Sequence, residues 1–310
     1  MNRKIIMLGI AGDSAAGKTT LSQGIADALG HDQVTAICCD HYHKYNRAQR
    51  KELGISALSP EGNYVDIMEQ HFRLLREGHP ILKPVYNHST GDFDPPEYVK
   101  PTKYVIVEGL LPFHTRIMRL CFDVKVYLNP PETLRHKWKI KRDTTKRGYT
   151  LEQVMASLAG RADLSPKYIH PQRGWADMVV RFQPREGHEE ETGGHLNAHL
   201  VLRPTLPHPD LSDVLEHSGN GAEPAMRLEL GRYEGKPVDF LEISGNVTAE
   251  KAQELEELID GHLAEDSHVN LDKLGRYQSG LEEKRSYPLA LTQMLIAYHL
   301  VAAGETVFKE

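Results

Sequence analysis

The sequence lacks most features that mark secreted, membrane-spanning and nucleic-acid-binding proteins. Only three of its 310 residues are cysteines, and they form neither a disulfide framework nor a zinc spacing, which indicates a reducing, cytoplasmic environment. No hydrophobic run is long enough to span a membrane. The N-terminal apolar run leads into glycines and Asp13, which indicates a buried strand rather than a signal peptide. The net charge of -6 argues against general nucleic-acid binding.

Apolar strands alternate with helices in the first half of the chain, which is typical of a parallel sheet covered by helices on both faces. The predicted strands there are 4–10, 34–39, 104–108, 124–128 and 178–182, and the predicted helices are 18–29, 66–77 and 131–146. We predict a core over 1–184 and, over 185–310, a β-rich extension with closing helices that continues the same domain. In this extension 185–223 reads as loops around one short strand; strands at 226–230 and 238–243 and helices at 249–262 and 288–302 follow.

The stretch GIAGDSAAGKTT, residues 9–20, carries the clearest motif. Gly12 to Thr19 fit G-x-x-x-x-G-K-[ST] between a predicted strand and a predicted helix, as this phosphate-binding loop requires. Its backbone N–H groups and the helix N-terminus bind phosphate oxygens. We expect Lys18 to reach the β- and γ-phosphates of a nucleoside triphosphate and Thr19 to bind Mg²⁺. The predicted nucleotide-binding residues here are Gly12, Asp13, Ser14, Ala15, Ala16, Gly17, Lys18, Thr19 and Thr20.

Two carboxylates end predicted strands at the same edge of this sheet. Glu108 ends strand 104–108, where it could act on Mg²⁺ or its bound water; the alternative is a solvated acid at a strand end. Asp40 follows strand 34–39 and could take a proton from an attacking hydroxyl or orient it. A run of basic residues after Asp40 suggests a second anion, a phosphate on the acceptor, unless it is only a solvated loop. These residues are His43, Lys44, Arg47, Arg50 and Lys51.

A second basic stretch, residues 135–147, holds seven lysines and arginines and one acid, Asp143. On a helix Lys139 and Arg142 share a face, and Asp143 can pair with Lys139 or Arg147. We predict that this stretch, hereafter the lid, places its arginines over the transferred phosphoryl group. The alternative is a helix with solvated charges. Between the two basic stretches, 83–97 reads as a polar loop fixed by prolines, suited to a polyhydroxylated substrate.

Together these segments resemble the phosphoribulokinases, in the kinase family that they share with the uridine kinases. The resemblance is carried by GDSAAGKTT, CDHYHKYNR, YNHSTGDFDPPE, VIVEGLLP, WKIKRDTTKRG and YIHPQ, and it covers roughly residues 4–184. It continues more faintly through VDFLEISGN and the last helix. Uridine kinases lack the Asn46-Arg47 and Lys51 basic set, which favours the phosphoribulokinase side. The resemblance implies a P-loop kinase fold and a homodimer.

The resemblance also implies a reaction and its residues. ATP, with Mg²⁺, would phosphorylate the C1 hydroxyl of ribulose 5-phosphate, the substrate partner. Asp40 would be the catalytic carboxylate, and Asp143 a second one whose share of the work stays open. The further assignments are Lys18 and Arg142 as catalytic, Arg147 at the nucleotide, Thr19, Glu108 and Asp40 at the metal, and His43, Arg47, Lys51, Tyr86, His88, Lys139 and Arg161 at the sugar phosphate.

One departure from the family pattern concerns cysteine. Plant-type members carry a cysteine in the phosphate loop where this chain has Ala16, and its redox partner matches Cys38. We therefore predict no thioredoxin-type switch. Two rival functions stay open at this point: a uridine-kinase-like nucleoside kinase, and a non-catalytic nucleotide-dependent switch.

Overall fold

The computed structural model describes residues 5–160, 162–219, 223–264, 267, 269–280 and 282–305. The strands are β1 (Ile6–Gly12), β2 (Val34–Cys38), β3 (Ile81–Asn87), β4 (Asp92–Val99), β5 (Tyr104–Gly109), β6 (Val124–Leu128), β7 (Met178–Gln183), β8 (Asn197–Leu202), β9 (Met226–Tyr233), β10 (Lys236–Ile243), β11 (Arg276–Ser279) and β12 (Glu282–Arg285). The α-helices are α1 (Lys18–Leu29), α2 (Arg47–Leu53), α3 (Val65–Arg76), α4 (Arg116–Leu120), α5 (Glu132–Lys146), α6 (Leu151–Ala159), α7 (Ser212–His217), α8 (Ala249–Asp260) and α9 (Tyr287–Glu305).

The chain divides into two compact units. The first unit comprises residues 1–18, 32–127 and 135–176, and the second comprises 19–31, 128–134 and 177–310. The domain division predicted from the sequence, with a boundary near residue 184, stays a prediction.

In the first unit the strands lie in the order β2-β5-β1-β6. β5 pairs in parallel with both β1 and β2, so that Glu108 lies opposite Ile10 on one side and Cys38 on the other. Every residue of β1 is buried, and Glu108 is the only residue of β5 that is not. Strands buried on both faces are those of a parallel sheet between helices, which confirms the predicted fold class. The carboxyl ends of β1, β2 and β5 therefore meet at one edge.

The segment 83–97 differs from its prediction as a polar loop. It forms most of an antiparallel hairpin of β3 and β4, with a register shift between Lys83 and Val85. Pro84 lies at this shift, and Pro95 and Pro96 lie in β4, which is exposed along most of its length. Proline cannot donate to a ladder and is tolerated at edges and irregular positions. The prolines were therefore a misleading signal for a loop.

In the second unit an antiparallel sheet follows the order β7-β8-β10-β9, and β11 pairs with β12. Helix α8 packs on α9, which is apolar on all sides and buried for most of its length, as expected of a core helix. The predicted β-rich extension and closing helices are confirmed, and the structure adds that these strands pair antiparallel. The interpretation of 185–223 as loops around one strand was incomplete, because α7 also lies there. A six-residue helix is too short to show a hydrophobic period.

None of the helices in the described ranges combines the length and the hydrophobicity that crossing a bilayer requires.

Candidate active site

The phosphate loop, residues 12–18, joins β1 to α1. Gly17 has a φ of 95°, a left-handed value that glycine adopts without strain. Lys18 begins α1 and is buried, and its Nζ donates to the carbonyl oxygens of Gly12 and Asp13, both at 2.9 Å. Successive backbone N–H groups in such a loop form a concave anion-binding surface. The loop therefore has the local structure that its motif predicts.

Asp40 lies just beyond β2, in a 3₁₀ turn over Cys39–Tyr42. Its side chain keeps 30% of its surface exposed, and one carboxylate oxygen is 3.8 Å from Nε2 of His88. Burial opposes ionisation, but His43, Lys18, His88 and Arg147 outweigh it and lower the pKa of the Asp40 carboxyl. Asp40 is therefore a carboxylate at neutral pH with an accessible surface, as acceptance of a proton or a hydrogen bond from a hydroxyl requires.

Glu108 and Asp40 lie near the same two thiols. After burial, which is the largest cause, both carboxylates contribute to raising the pKa of Cys38 and of Cys39 well above the usual range. Asp40 and Glu108 both follow or end strands at this edge of the sheet, and carboxylates are the hard oxygen ligands that Mg²⁺ prefers. The residue types therefore fit a divalent cation.

Two histidines and a tyrosine form the wall beside Asp40. The Tyr86 ring meets the rings of His43 and His88 edge to face, with centroids 4.8 and 5.0 Å apart. Tyr86 is only 2% exposed, and its hydroxyl accepts a hydrogen bond from Arg50 Nη2 at 2.7 Å. Burial lowers the pKa of His88 to about 4, although Asp40 opposes this. Tyr86 thus lies behind the two histidines, and His88 is neutral near pH 7.

Helix α2 presents basic residues next to this wall. Arg47 and Lys51, four residues apart, share one face of α2. Arg47 Nη2 donates to the backbone oxygen of His88 at 2.5 Å, and its Cζ lies 5.4 Å from the centre of the Tyr149 ring. A Cβ on Gly91, where φ is 78°, would come within 2.8 Å of the Arg47 side chain. Glycine is thus required there by both its conformation and the close approach of Arg47.

The lid is helical up to Lys146 and surrounds a buried carboxylate. Asp143 is 4% exposed, and its oxygens lie 2.5 Å from Lys139 Nζ, 2.8 Å from Arg142 Nε and 3.7 Å from Arg147 Nη1. Burial raises the pKa of Asp143, but its hydrogen bonds with Arg142 and Lys139 outweigh burial and lower it. Arg142 Nη2 also donates to Ser14 Oγ at 3.3 Å. The lid cations are therefore held beside the phosphate loop by an anion of their own helix.

The structure brings most of the predicted site residues together in the first unit. Those that lie there are Gly12, Asp13, Ser14, Ala15, Ala16, Gly17, Lys18, Asp40, His43, Arg47, Lys51, Tyr86, His88, Glu108, Lys139, Arg142, Asp143 and Arg147. Thr19 and Thr20 follow Lys18 in α1. Arg161 lies outside the described residues. The ligands assigned to these residues stay predictions.

Sequence reasoning assigned no role to two residues that contact this site, Ser165 and His170, which both contact the Asp13 carboxylate. Arg135, one of the arginines of the lid, donates from Nη1 to the Ser14 carbonyl at 3.3 Å. His170 lies in the quoted segment YIHPQ, which was the available signal. Ser165 carried no signal, because its partner Asp13 lies 152 positions away.

Comparisons with known proteins show the family and the fold. A match to the phosphoribulokinase / uridine kinase family spans residues 7–187. The chain is 33% identical over 300 residues to the phosphoribulokinase of Synechocystis sp., and the aligned region covers 92% of this chain and 88% of that protein. It is 36% identical over 198 residues to the chloroplastic phosphoribulokinase of Mesembryanthemum crystallinum, covering 58% of this chain and 50% of the relative. The match therefore spans about half the length of that chloroplast relative. Among solved structures, a phosphoribulokinase from Rhodobacter spheroides has a TM-score of 0.57 at 20% identity, covering 84% of this chain and 98% of that one, which shows the fold alone.

Proposed function

Because the chain belongs to the phosphoribulokinase / uridine kinase family of phosphotransferases, we propose that it transfers the γ-phosphoryl group of ATP to the C1 hydroxyl of ribulose 5-phosphate. The products are ADP and ribulose 1,5-bisphosphate. One observation supports this proposal beyond the family: Asp40 lies 3.8 Å from His88, whose backbone oxygen accepts a hydrogen bond from Arg47, and Arg47 shares a face of α2 with Lys51. A phosphorylated acceptor accounts for these two basic residues.

Asp40 acts on the acceptor. Its low pKa keeps it ionised at neutral pH, so it accepts a hydrogen bond from the C1 hydroxyl and aligns this oxygen with the γ-phosphorus. As the new P–O bond forms and the bond to the β,γ-bridging oxygen breaks, the hydroxyl proton passes to Asp40. ADP leaves with the bridging oxygen and its electron pair. This role requires an exposed carboxylate, which Asp40 offers.

Asp143 has a different task. Its oxygens accept from Lys139 and Arg142 and face Arg147, so it is committed to cations of its own helix. We assign it the positioning of these cations, which together with Lys18 offset the charge on the phosphoryl oxygens in the transition state. Asp40, Glu108 and the Thr19 hydroxyl would hold Mg²⁺, which neutralises charge on the β- and γ-phosphates when bound.

The rival functions predict other behaviour. A nucleoside kinase accepts an unphosphorylated sugar and leaves Arg47 and Lys51 without a ligand. A non-catalytic switch binds nucleotide without transfer and gives Asp40 no task. The homodimer that the resemblance implies and the cytoplasmic location that the cysteine content indicates remain predictions, and light scattering tests the first of them.

The acceptor assay separates the three functions. ADP release from MgATP is followed by a coupled assay with ribulose 5-phosphate, with uridine and with no acceptor, and the product is identified by phosphorus NMR. We expect turnover with ribulose 5-phosphate alone and a new phosphate ester at C1. Turnover with uridine, or nucleotide binding without turnover on either acceptor, contradicts the proposal.

A further inference from the structure

Residues 165–172, SPKYIHPQ, hereafter the return segment, follow the lid and α6 and have no role in the proposed chemistry. They form two short irregular helical turns, Ser165–Ile169 and His170–Trp175. Two separate parts of the first unit are hydrogen-bonded to them, through buried contacts of Ser165 and Gln172 and through His170, whose side chain is 40% exposed. One part is the phosphate loop and the other is the loop that follows Glu108.

Gln172 makes the connection to the loop after Glu108. Its side chain is buried, and Oε1 accepts from the backbone N–H of Phe113 at 2.9 Å. Nε2 donates to the carbonyl oxygen of Leu110 at 2.6 Å. Ile169, fully buried, packs in the same cluster as Leu110. The return segment is therefore fixed to the rigid end of β5, since a buried amide with all these partners has no low-cost alternative.

Asp13 makes the connection to the phosphate loop. Its side chain is 5% exposed and accepts from Ser165 Oγ at 2.7 Å on one oxygen. The other oxygen lies 3.2 Å from His170 Nε2. Burial raises the pKa of the Asp13 carboxyl. The hydrogen bonds from His170 and Ser165 and the charge of Arg135 outweigh burial and lower this pKa to about 2. Asp13 is thus a buried anion hydrogen-bonded to two residues of the return segment, with the charge of Arg135 in the lid as a further stabilising contribution.

The backbone of Asp13 is part of the phosphate loop itself. Its carbonyl oxygen accepts from the N–H of Ala16 at 3.1 Å and from Lys18 Nζ at 2.9 Å. Any rotation of Asp13 therefore moves the acceptor that orders the loop and places Lys18. A carboxylate pointing toward bound phosphates would repel them, whereas this one is bonded within the protein.

We propose that Asp13, Ser165 and His170 form a positioning site that holds the phosphate loop in its nucleotide-binding shape, with the Asp13 side chain making no contact with the nucleotide. This inference rests on the nucleotide use in the proposed function but not on the identity of the acceptor. His170 acts through Asp13, and Gln172 fixes the segment from which His170 reaches it.

The test measures nucleotide binding without any acceptor. MgADP is titrated by calorimetry into the wild-type protein and the variants His170→Ala, Asp13→Asn and the double variant, and the ATP KM is measured alongside. Loss of a hydrogen bond to a charged group predicts that His170→Ala weakens MgADP binding about tenfold or more and raises the ATP KM similarly. The acceptor KM stays within about twofold, because distant sites act independently. The double variant should bind MgADP at most about threefold more weakly than the single variant with the lower affinity, because the two residues act as one unit.

Two further variants separate positioning from general stability. His170→Gln keeps a donor near the position of Nε2 and should restore binding to within about threefold of wild type. His262→Ala is the matched control, since His262 Nε2 lies 3.1 Å from the carboxylate of Asp213 in the second unit; it should leave MgADP affinity unchanged. Ser165→Ala tests the same site if His170→Ala does not fold.

Three results overturn the proposal. The first is an unchanged MgADP affinity in His170→Ala or its substitute Ser165→Ala. The second is a loss of MgADP affinity in the double variant that equals the product of the losses in the two single variants. The third is an equal loss of MgADP affinity in His170→Ala and His262→Ala. Because MgADP binding needs no acceptor, failure of the ribulose 5-phosphate assignment would leave this test intact.

Discussion

Asp13 and Lys18 on the nucleotide side of the site differ from Asp40 and His88 on the acceptor side in burial and in how closely their side chains are bonded within the protein. On the nucleotide side, Asp13 and Lys18 are buried, and their side chains make hydrogen bonds of 2.7–3.2 Å with other protein groups. On the acceptor side, Asp40 and His88 keep about a third of their surface and lie 3.8 Å apart. Asp13 and Lys18 are already held in place by hydrogen bonds before a ligand binds. Asp40 and His88 still have accessible polar atoms that can bond to a ligand. Substitutions on the two sides should therefore affect different kinetic constants.

The largest expected effect is at Asp40. Asp40→Asn keeps the shape but removes the proton acceptor, so kcat should fall by about 10²–10⁴-fold while both KM values change little. Steady-state kinetics with ribulose 5-phosphate measure this. Asp94→Asn, on exposed β4, is the control and should behave as wild type. A near-normal kcat in Asp40→Asn would remove the carboxylate from the mechanism.

Asp143 should show a combined loss of stability and activity. Asp143→Ala leaves the buried Lys139 without its closest partner, and breaking a buried pair in this way costs about 3–5 kcal/mol of unfolding free energy. Urea denaturation and kcat are both measured. The double variant Asp143→Leu, Lys139→Met should recover much of the stability but not the activity. Recovery of activity in this variant would show that the charges serve the fold alone.

The acceptor side should respond at Arg47 through the KM for ribulose 5-phosphate. Loss of a charge-assisted bond to a phosphate predicts that Arg47→Met raises this KM about 10–100-fold and leaves the ATP KM unchanged. Arg119→Met is the matched control, because Arg119 also lies over an aromatic ring, that of Trp175, at 4.2 Å. A rise in the ATP KM instead would place Arg47 on the nucleotide side.

Tyr149 sharpens the same prediction. Its ring lies 5.4 Å from the Arg47 guanidinium, and cation–π contacts of this kind contribute about 0.5–1 kcal/mol. Tyr149→Leu should therefore raise the KM for ribulose 5-phosphate a few-fold in the wild-type background and hardly at all with Arg47→Met, whereas Tyr149→Phe should have no effect. Equal effects in both backgrounds would show that the ring does not act through Arg47.

Local sequence patterns predicted what neighbouring residues determine. The phosphate loop, α1 and the position of Glu108 follow from a short motif and from apolar runs, and the structure has them where they were expected. The contact between Asp13 and Ser165 was not predictable in this way, since only the folded chain brings them together. Tyr86 illustrates a second limit: its polar neighbours suggested a ligand contact, but its hydroxyl is bonded to Arg50. The residue type indicates which chemistry a side chain can perform, and burial in the folded chain decides whether that side chain faces a ligand.

The pH dependence of the acceptor side should come from the substrate. The pKa of His88 is lowered to about 4 and that of Asp40 is lowered too, so above pH 5 neither group changes charge. The phosphate of the sugar titrates near about pH 6, and kcat/KM for ribulose 5-phosphate should fall below that value. His88→Gln should leave this acid limb in place, and a shifted limb would assign it to the histidine.

Although His88 should not change the pH dependence of the rate, it should change the pH dependence of the stability of the fold. Its folded pKa of about 4 lies below the usual value of 6.5, so the unfolded chain binds a proton that the folded protein does not. The folded state therefore loses stability as pH falls from about 6.5 to 4, and His88→Gln should weaken this loss in urea denaturation at pH 5 relative to pH 7.

The smallest expected effect is that of redox treatment. Burial raises the pKa of all three thiols, that of Cys121 to about 11 and those of Cys38 and Cys39 well above their usual range, so little reactive thiolate exists at neutral pH. The phosphate loop, residues 12–18, holds Ala16 and no cysteine. Oxidised and reduced dithiothreitol should therefore give the same rate within about twofold, and Cys38→Ser should respond identically. A several-fold oxidative loss that reductant reverses, and that Cys38→Ser abolishes, would show that the acceptor side carries a switch at the strand end that also positions Asp40.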